Sequence, residues 1–139
     1  MNRYTMEFVV REDEACGCGA LIAIEALRDI PFEMKRVFFI YGVDPGIKRG
    51  AHAHRTSRQV LTCVHGRCTI VLDDGETKER IDLDSPEKGL LQEPLVWGEI
   101  EDFTKDAVLM VISDSYYDPK EYIHDYDEFL TLAKAKVLS

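Results

Sequence analysis

The chain has 139 residues, 45% of them apolar and 31% charged, with 26 acidic against 17 basic side chains and a formal net charge of -9. This length predicts one domain spanning residues 1–139, large enough to bury a core without covalent staples. No stretch approaches the roughly 20 apolar residues of a membrane span. The acidic balance opposes general nucleic-acid binding, because a phosphate backbone repels such a chain at long range. The start shows no basic, apolar and small-residue leader pattern, so the expected compartment is the cytoplasm. Free thiols are then expected at Cys16, Cys18, Cys63 and Cys68, whose C-x-C and four-residue spacings do not match a zinc pattern.

In chain order, short runs of period two bounded by turn residues read as strands. They begin with Met6–Val10, Ala20–Leu27 and Arg36–Val43, the last closed by a turn at Asp44-Pro45-Gly46. A tight hairpin is expected across Gln59–Leu72, with His65-Gly66 as its two-residue loop and Cys63 opposite Cys68. Alternation puts Gln59, Leu61, Cys63, Cys68, Ile70 and Leu72 on one inward face, with Gln59 its polar exception. Asp73-Asp74-Gly75 reads as a second turn rather than an acid pair. Further strands are expected near Thr77–Leu83, Leu90–Gln92, Val96–Phe103 and Ala107–Ser113. Asp118-Pro119-Lys120-Glu121 carries helix-start signals, and Tyr122, Tyr126, Phe129 and Leu130 follow at helical spacing, so a C-terminal helix is expected over 118–135. The fold class expected is all-β, about ten strands in a jelly-roll barrel with one C-terminal helix.

The chemistry concentrates between Gly46 and Gly66. Lys35, Arg36, Lys48, Arg49, Arg55 and Arg58 place six of the 17 cations within 24 residues. His52 and His54 form an H-x-H, which on a strand sends both imidazoles into one cavity. Gly46, His52, His54, Gln59 and Gly66 follow one another at intervals that resemble the first cupin motif. Metal-binding cupins usually hold Glu where this chain has Gln59, and they add a histidine from a second motif. Here that region, roughly 89–103, contains none, and Glu99 is the nearest ligand candidate. Two imidazoles and an amide are a poor metal set, which leaves histidine available for proton transfer.

The runs PFEMKRVFFIYGV, RGAHAHR, QVLTCVHGRCTIVLDDG, LDSPEKGL, VLMVISDSYYD and YIHDYDEF are similar to the sugar-nucleotide 3,4-ketoisomerases, from about Gly19 to Phe129. That resemblance implies a cupin jelly roll, a homodimer with exchanged N-terminal strands, catalysis without metal or cofactor, and a dTDP-4-keto-6-deoxyhexose as substrate. By position it implies catalytic roles for His52, His54 and Tyr41. It gives substrate contacts to Arg49, Arg36, Gln59, Arg58, Trp97 and His124, with Arg49 suited to a diphosphate. An exposed helical position is the bland alternative for His124. Relatives often carry a basic residue where Gly98 stands and a larger polar one at Cys18, so these two positions are expected to bear on configuration at C4. Three other functions fit the same fold: a 3,5-epimerase, a metal-dependent cupin using His52, His54, Gln59 and Glu99, and a nucleotide-sugar-binding module without turnover.

Overall fold

The computed structural model describes residues 4–12 and 17–138, and Cys16 lies outside them. Twelve strands run in chain order: β1 (Thr5–Glu7), β2 (Val10–Glu12), β3 (Ala20–Ile22), β4 (Arg36–Tyr41), β5 (Arg49–His54), β6 (Gln59–His65), β7 (Cys68–Asp73), β8 (Lys78–Leu83), β9 (Lys88–Gln92), β10 (Trp97–Glu101), β11 (Val108–Ser113) and β12 (Tyr122–Ile123). Among the described residues the one α-helix is α1 (Tyr126–Leu138), which follows β12. The first large sheet has the order β1-β9-β6-β11-β4 and the second β12-β5-β10-β7-β8, while β2 and β3 form a separate pair. The strand pairs within these sheets are antiparallel. The all-β class is as expected. The barrel is not closed, because among the described residues no hydrogen-bonded strand pair joins the two large sheets; they face each other as a sandwich.

The main core fills the space between the sheets. Leu61 and Cys63 of β6, Leu90 of β9 and Leu109 and Val111 of β11 meet Cys68, Ile70 and Leu72 of β7, Leu83 of β8 and Ile100 of β10. A second cluster covers the outer face of the first sheet, where Phe8, Ile30 and Phe32 pack on Val60 and Ile112. A third covers the outer face of the second sheet, where Phe129 and Ala133 of α1 pack on Ala53, Trp97 and Ile123. Cys63 and Cys68 are free thiols buried in the main core, packing as small apolar side chains. Cys18, by contrast, is disulfide-bonded, against the expectation of free thiols.

The expected hairpin at His65-Gly66 is not formed. β6 pairs with β9 and β11, and β7 with β10 and β8, so the chain crosses from one sheet to the other at this corner. Arg67 N–H donates to Thr104 Oγ1 at 2.9 Å and Arg67 O accepts from Thr104 N–H at 2.9 Å, so neither group joins Val64. The inward set is nevertheless correct, because two strands with the same apolar face can lie face to face as well as side by side. The turn at 73–75 does close a hairpin, with Asp73 opposite Lys78 and Gly75 N–H donating to Asp73 Oδ1 at 2.8 Å.

The C-terminal helix starts later than expected. Asp118 does cap a turn, its carboxylate accepting from Lys120 N–H at 3.0 Å, but the turn is a single 3-10 turn over Pro119–Glu121. The chain then extends as β12 and pairs with β5, Tyr122 opposite His54 and Ile123 opposite Ala53. A second start follows at Asp125, whose carboxylate accepts from Asp127 N–H at 2.9 Å. Glu121 serves the loop before β6 instead of the helix, accepting hydrogen bonds from Thr56 and Ser57.

Candidate active site

A cavity of about 310 Å³ opens between the two sheets. The first sheet contributes Phe38, Ile40, Gln59, Leu61, Gln92 and Val111 to its wall. The second contributes Arg49, Gly50, His52, Ile70, Gly98, Ile100 and Tyr122, and the segments flanking β12 add Tyr117, Pro119 and His124. In a chain of net charge -9, no Asp or Glu occurs among these described lining residues.

The H-x-H reaches the cavity through a local distortion of β5. His52 lies opposite Gly98 and Gly50 opposite Glu99, so Ala51 is an extra residue without a partner on β10. Ala51 sits in the left-handed region at φ 59. Such a bulge re-aims the following side chains and is common beside active sites. His52 then lines the cavity while His54 stands behind it, 1% exposed, the rings edge to face at 5.0 Å.

Both imidazoles are shifted below the usual histidine range. Burial lowers the pKa of His52; a backbone hydrogen bond at Gly50 opposes this and the charge of His124 adds to it. Burial and then His52 push His54 down to about 4, with Glu121 and the Gln59 hydrogen bond opposing and Arg36 adding. His54 Nε2 is buried without a hydrogen-bond partner.

His124 is not on the helix. It follows β12, lines the cavity, and lies 5.8 Å from the His52 ring. Tyr122 is stacked on it at 5.8 Å with an interplanar angle of 9°, and stands 5.0 Å from His52 and 4.9 Å from His54. Gln59 is buried on the cavity floor, directly opposite Gln92 across the β6–β9 pair. Gln92 Nε2 donates to Val96 O at 2.9 Å, and its amide lies against Gly98. A Cβ at Gly98 would stand 2.8 Å from that nitrogen, so the absence of a side chain at 98 is what admits Gln92.

Several expected residues are not brought to this wall. β4 alternates, with Arg36, Phe38 and Ile40 turned inward and Val37, Phe39 and Tyr41 outward; Tyr41 is 74% exposed and takes no part in the cavity. Trp97 faces away from the cavity, as the neighbour of inward Gly98 must, and packs on Tyr126 at 5.2 Å and Phe129 at 5.6 Å. Glu99 is likewise on the face opposite Gly98 and Ile100, so it does not join His52 and Gln59. Arg58 is spent on Asp114 at 3.7 Å and on Pro31 O at 3.1 Å. Cys18 is exposed and does not line the cavity. Arg36 stands behind the wall, its Nη2 donating to Tyr122 Oη at 3.3 Å.

Gln92 and Tyr122 are the site residues that sequence reasoning missed. Gln92 is two residues from inward Leu90, so alternation along β9 could have found it. Tyr122 stands two residues before His124, a period-two relation hidden by its equally good helical spacing from Tyr126 and Phe129.

A small antiparallel β-sandwich with His52 and His124 in an inter-sheet cavity whose described lining has no carboxylate is the class that fold and site define. More narrowly, the chain belongs to the FdtA family, described as WxcM-like, C-terminal, whose profile matches residues 1–134. It is 47% identical over 111 residues, 80% of each chain, to the TDP-4-oxo-6-deoxy-alpha-D-glucose-3,4-oxoisomerase of Aneurinibacillus thermoaerophilus. Among solved structures it is similar to a 3,4-ketoisomerase from Helicobacter canadensis, at TM-score 0.88 and 42% identity over 94% of this chain and 96% of that one. It also matches the 3,4-ketoisomerase QdtA from Thermoanaerobacterium thermosaccharolyticum, in a histidine-to-asparagine mutant bound to TDP-4-keto-6-deoxyglucose. That match has TM-score 0.91 and 38% identity and covers 100% of both chains.

Proposed function

We propose that this chain is a TDP-sugar 3,4-ketoisomerase, moving the carbonyl of a TDP-4-keto-6-deoxyhexose from C4 to C3. The observation that carries the reading is a His52 imidazole, its pKa lowered by burial, in the wall of a cavity whose described lining has no carboxylate. A neutral imidazole can accept the C3 proton, and a carboxylate-free wall favours an anionic diphosphate. The relatives named above carry the same activity in their descriptions, and QdtA was captured with the 4-keto substrate.

His52 is the base, because it lines the cavity and His54 does not. It takes the proton from C3, the C3–H pair forms a C3=C4 bond as the C4=O pair moves to O4, and the imidazolium, its N–H having exchanged with solvent, delivers a proton to C4 as the O3–H pair forms C3=O. His54 packs against the His52 ring edge and holds its orientation. Arg49, exposed at the cavity wall, binds the diphosphate through paired hydrogen bonds. The carbonyl and carbinol exchange within one molecule, so no external oxidant or reductant enters the balance. Gly98, directly across from His52, and the Gln92 amide it admits border the path to C4. The chain acts as a homodimer, a reading supported by the exposed Val37, Phe39 and Tyr41 on the edge strand β4.

Proton NMR of TDP-4-keto-6-deoxyglucose with the protein in deuterated buffer tests the reaction. The expected outcome is a 3-keto product carrying deuterium at C4, and the same reaction run in ordinary water gives the H4–H5 coupling that reports the configuration there. His52→Asn is expected to lower turnover by about 10²-fold or more while keeping TDP affinity within about twofold. TDP binding with no exchange in the wild-type protein would replace an enzyme with a binding module.

A further inference from the structure

The resemblance called for a tyrosine hydroxyl in the site, yet Tyr41 stands outside it, and the inward residues of the same strand include Phe38, which has none. Two tyrosines line the cavity, Tyr117 and Tyr122. Tyr117 is 67% exposed. Tyr122 stands among all three imidazoles of the site, its ring centroid 4.9 to 5.8 Å from theirs.

The hydrogen bond from Arg36 fixes what the Tyr122 hydroxyl can do. A guanidinium has donors only, so Tyr122 Oη is the acceptor at 3.3 Å and its own proton must point elsewhere. Arg36 is held against the rings of Phe38 at 5.0 Å and Tyr117 at 5.5 Å, and its Nε is buried without a partner. A fixed cation therefore sits beside the hydroxyl of a cavity-lining phenol whose own proton points away from it. That arrangement balances negative charge arising on Oη during turnover.

We propose that Tyr122 is a further catalytic residue of the isomerisation, shuttling the oxygen-bound proton from O3 to O4, with Arg36 positioning it. The proposal rests on the ketoisomerase reading. As His52 takes the C3 proton, the C3–H pair forms C3=C4, the C4=O pair moves to O4, and the Tyr122 O–H bond breaks to protonate O4. The phenolate, facing Arg36, then takes the proton of the O3 hydroxyl. The O3–H pair forms C3=O, and the C3=C4 pair takes the proton from the His52 imidazolium at C4. Tyr122 and His52 end as they began.

Tyr122→Phe is expected to lower kcat by about 10²-fold or more, with KM and TDP affinity within about twofold of wild type. Arg36→Gln should lower kcat with KM held, and should cost nothing further in the Tyr122→Phe background. Should the phenylalanine variant lose its fold, 3-fluorotyrosine at position 122 keeps the shape and acidifies the phenol. The alkaline limb of the rate profile should then move to lower pH. A wild-type protein that turns over beside a Tyr122→Phe variant within about threefold of it overturns this proposal alone. An unmoved alkaline limb in the fluorotyrosine protein does the same. A wild-type protein without turnover removes the ketoisomerase reading and this proposal together.

Discussion

His54 is enclosed to 1% exposure, and burial reinforced by His52 holds its pKa at about 4. An unfolded histidine titrates near about 6.5, so between these values the unfolded chain binds a proton that the folded chain refuses. The stability held by the neutral ring is therefore complete above the unfolded value and is lost as pH falls toward the folded one. The loss is about 3 kcal/mol. Urea unfolding at about pH 7.5 and about pH 4.5, for wild type and His54→Asn, isolates this contribution. The wild type should lose about 3 kcal/mol more than the variant between the two. Equal losses would mean that the ring is protonated in the folded state. The same ring shows how a binding pocket is kept in register: His54 does not line the cavity, yet it packs between Tyr122 and His52, which do.

The corner between β6 and β7 is the element on which the sandwich depends, because it carries the chain from one sheet to the other. Gly66 has φ 68, and a Cβ there would stand 2.5 Å from Thr104 Oγ1 and 2.7 Å from Ala107 Cα. The second neighbour is backbone and cannot swing away. Gly66→Ala should therefore cost about 2–4 kcal/mol, combining the left-handed penalty with overpacking. Gly75→Ala is the milder comparison: its φ is 97, and the nearest atom to a Cβ is Ala133 Cβ at 3.3 Å, so the backbone penalty of about 1–2 kcal/mol is joined only by a shift of a few tenths of an ångström in α1. Equal midpoint shifts in urea would show that the corner tolerates a methyl group. This corner also marks how far the sequence could be read. Period two along 59–72 identified both strands and the inward Leu61, Cys63, Ile70 and Leu72, but alternation says nothing about which strand lies alongside. His52 and Gln59, on strands of opposite sheets, were legible from alternation, whereas His54, expected in the same cavity, stands behind its wall. Tyr41 and Trp97 came by position from the resemblance, and the parity of their strands turns both outward. Tyr122 was hidden because a strand of two residues is stabilised by pairing with His54 and Ala53, a tertiary contact that no local pattern records.

At the scale of the molecule, the chain's acidity and its cavity have opposite electrostatic characters, and the covering of the sheets is uneven. The first sheet is covered on its outer face around Val60 and Ile112, and the second under α1. Among the described residues β4 ends the first sheet with no strand on its outer edge, and its outward Val37, Phe39 and Tyr41 are 45%, 53% and 74% exposed. An apolar strip on an edge strand invites pairing or aggregation unless something covers it. In the proposed homodimer a second copy covers it, with Phe39 at the centre of the strip. A buried aromatic anchor is commonly worth about 2 kcal/mol or more at an interface, or roughly 30-fold in dissociation constant. Replacing it by a carboxylate adds the cost of desolvating a charge. Sedimentation equilibrium should therefore find wild type at twice the 15.9 kDa chain mass and Phe39→Asp shifted toward the single-chain mass. Phe39 does not line the cavity, so TDP affinity measured on the variant tells whether the monomer keeps a formed site. Wild type at the single-chain mass would rule out the dimer. A Phe39→Asp variant that stays at twice that mass would move the interface to another face of the sandwich.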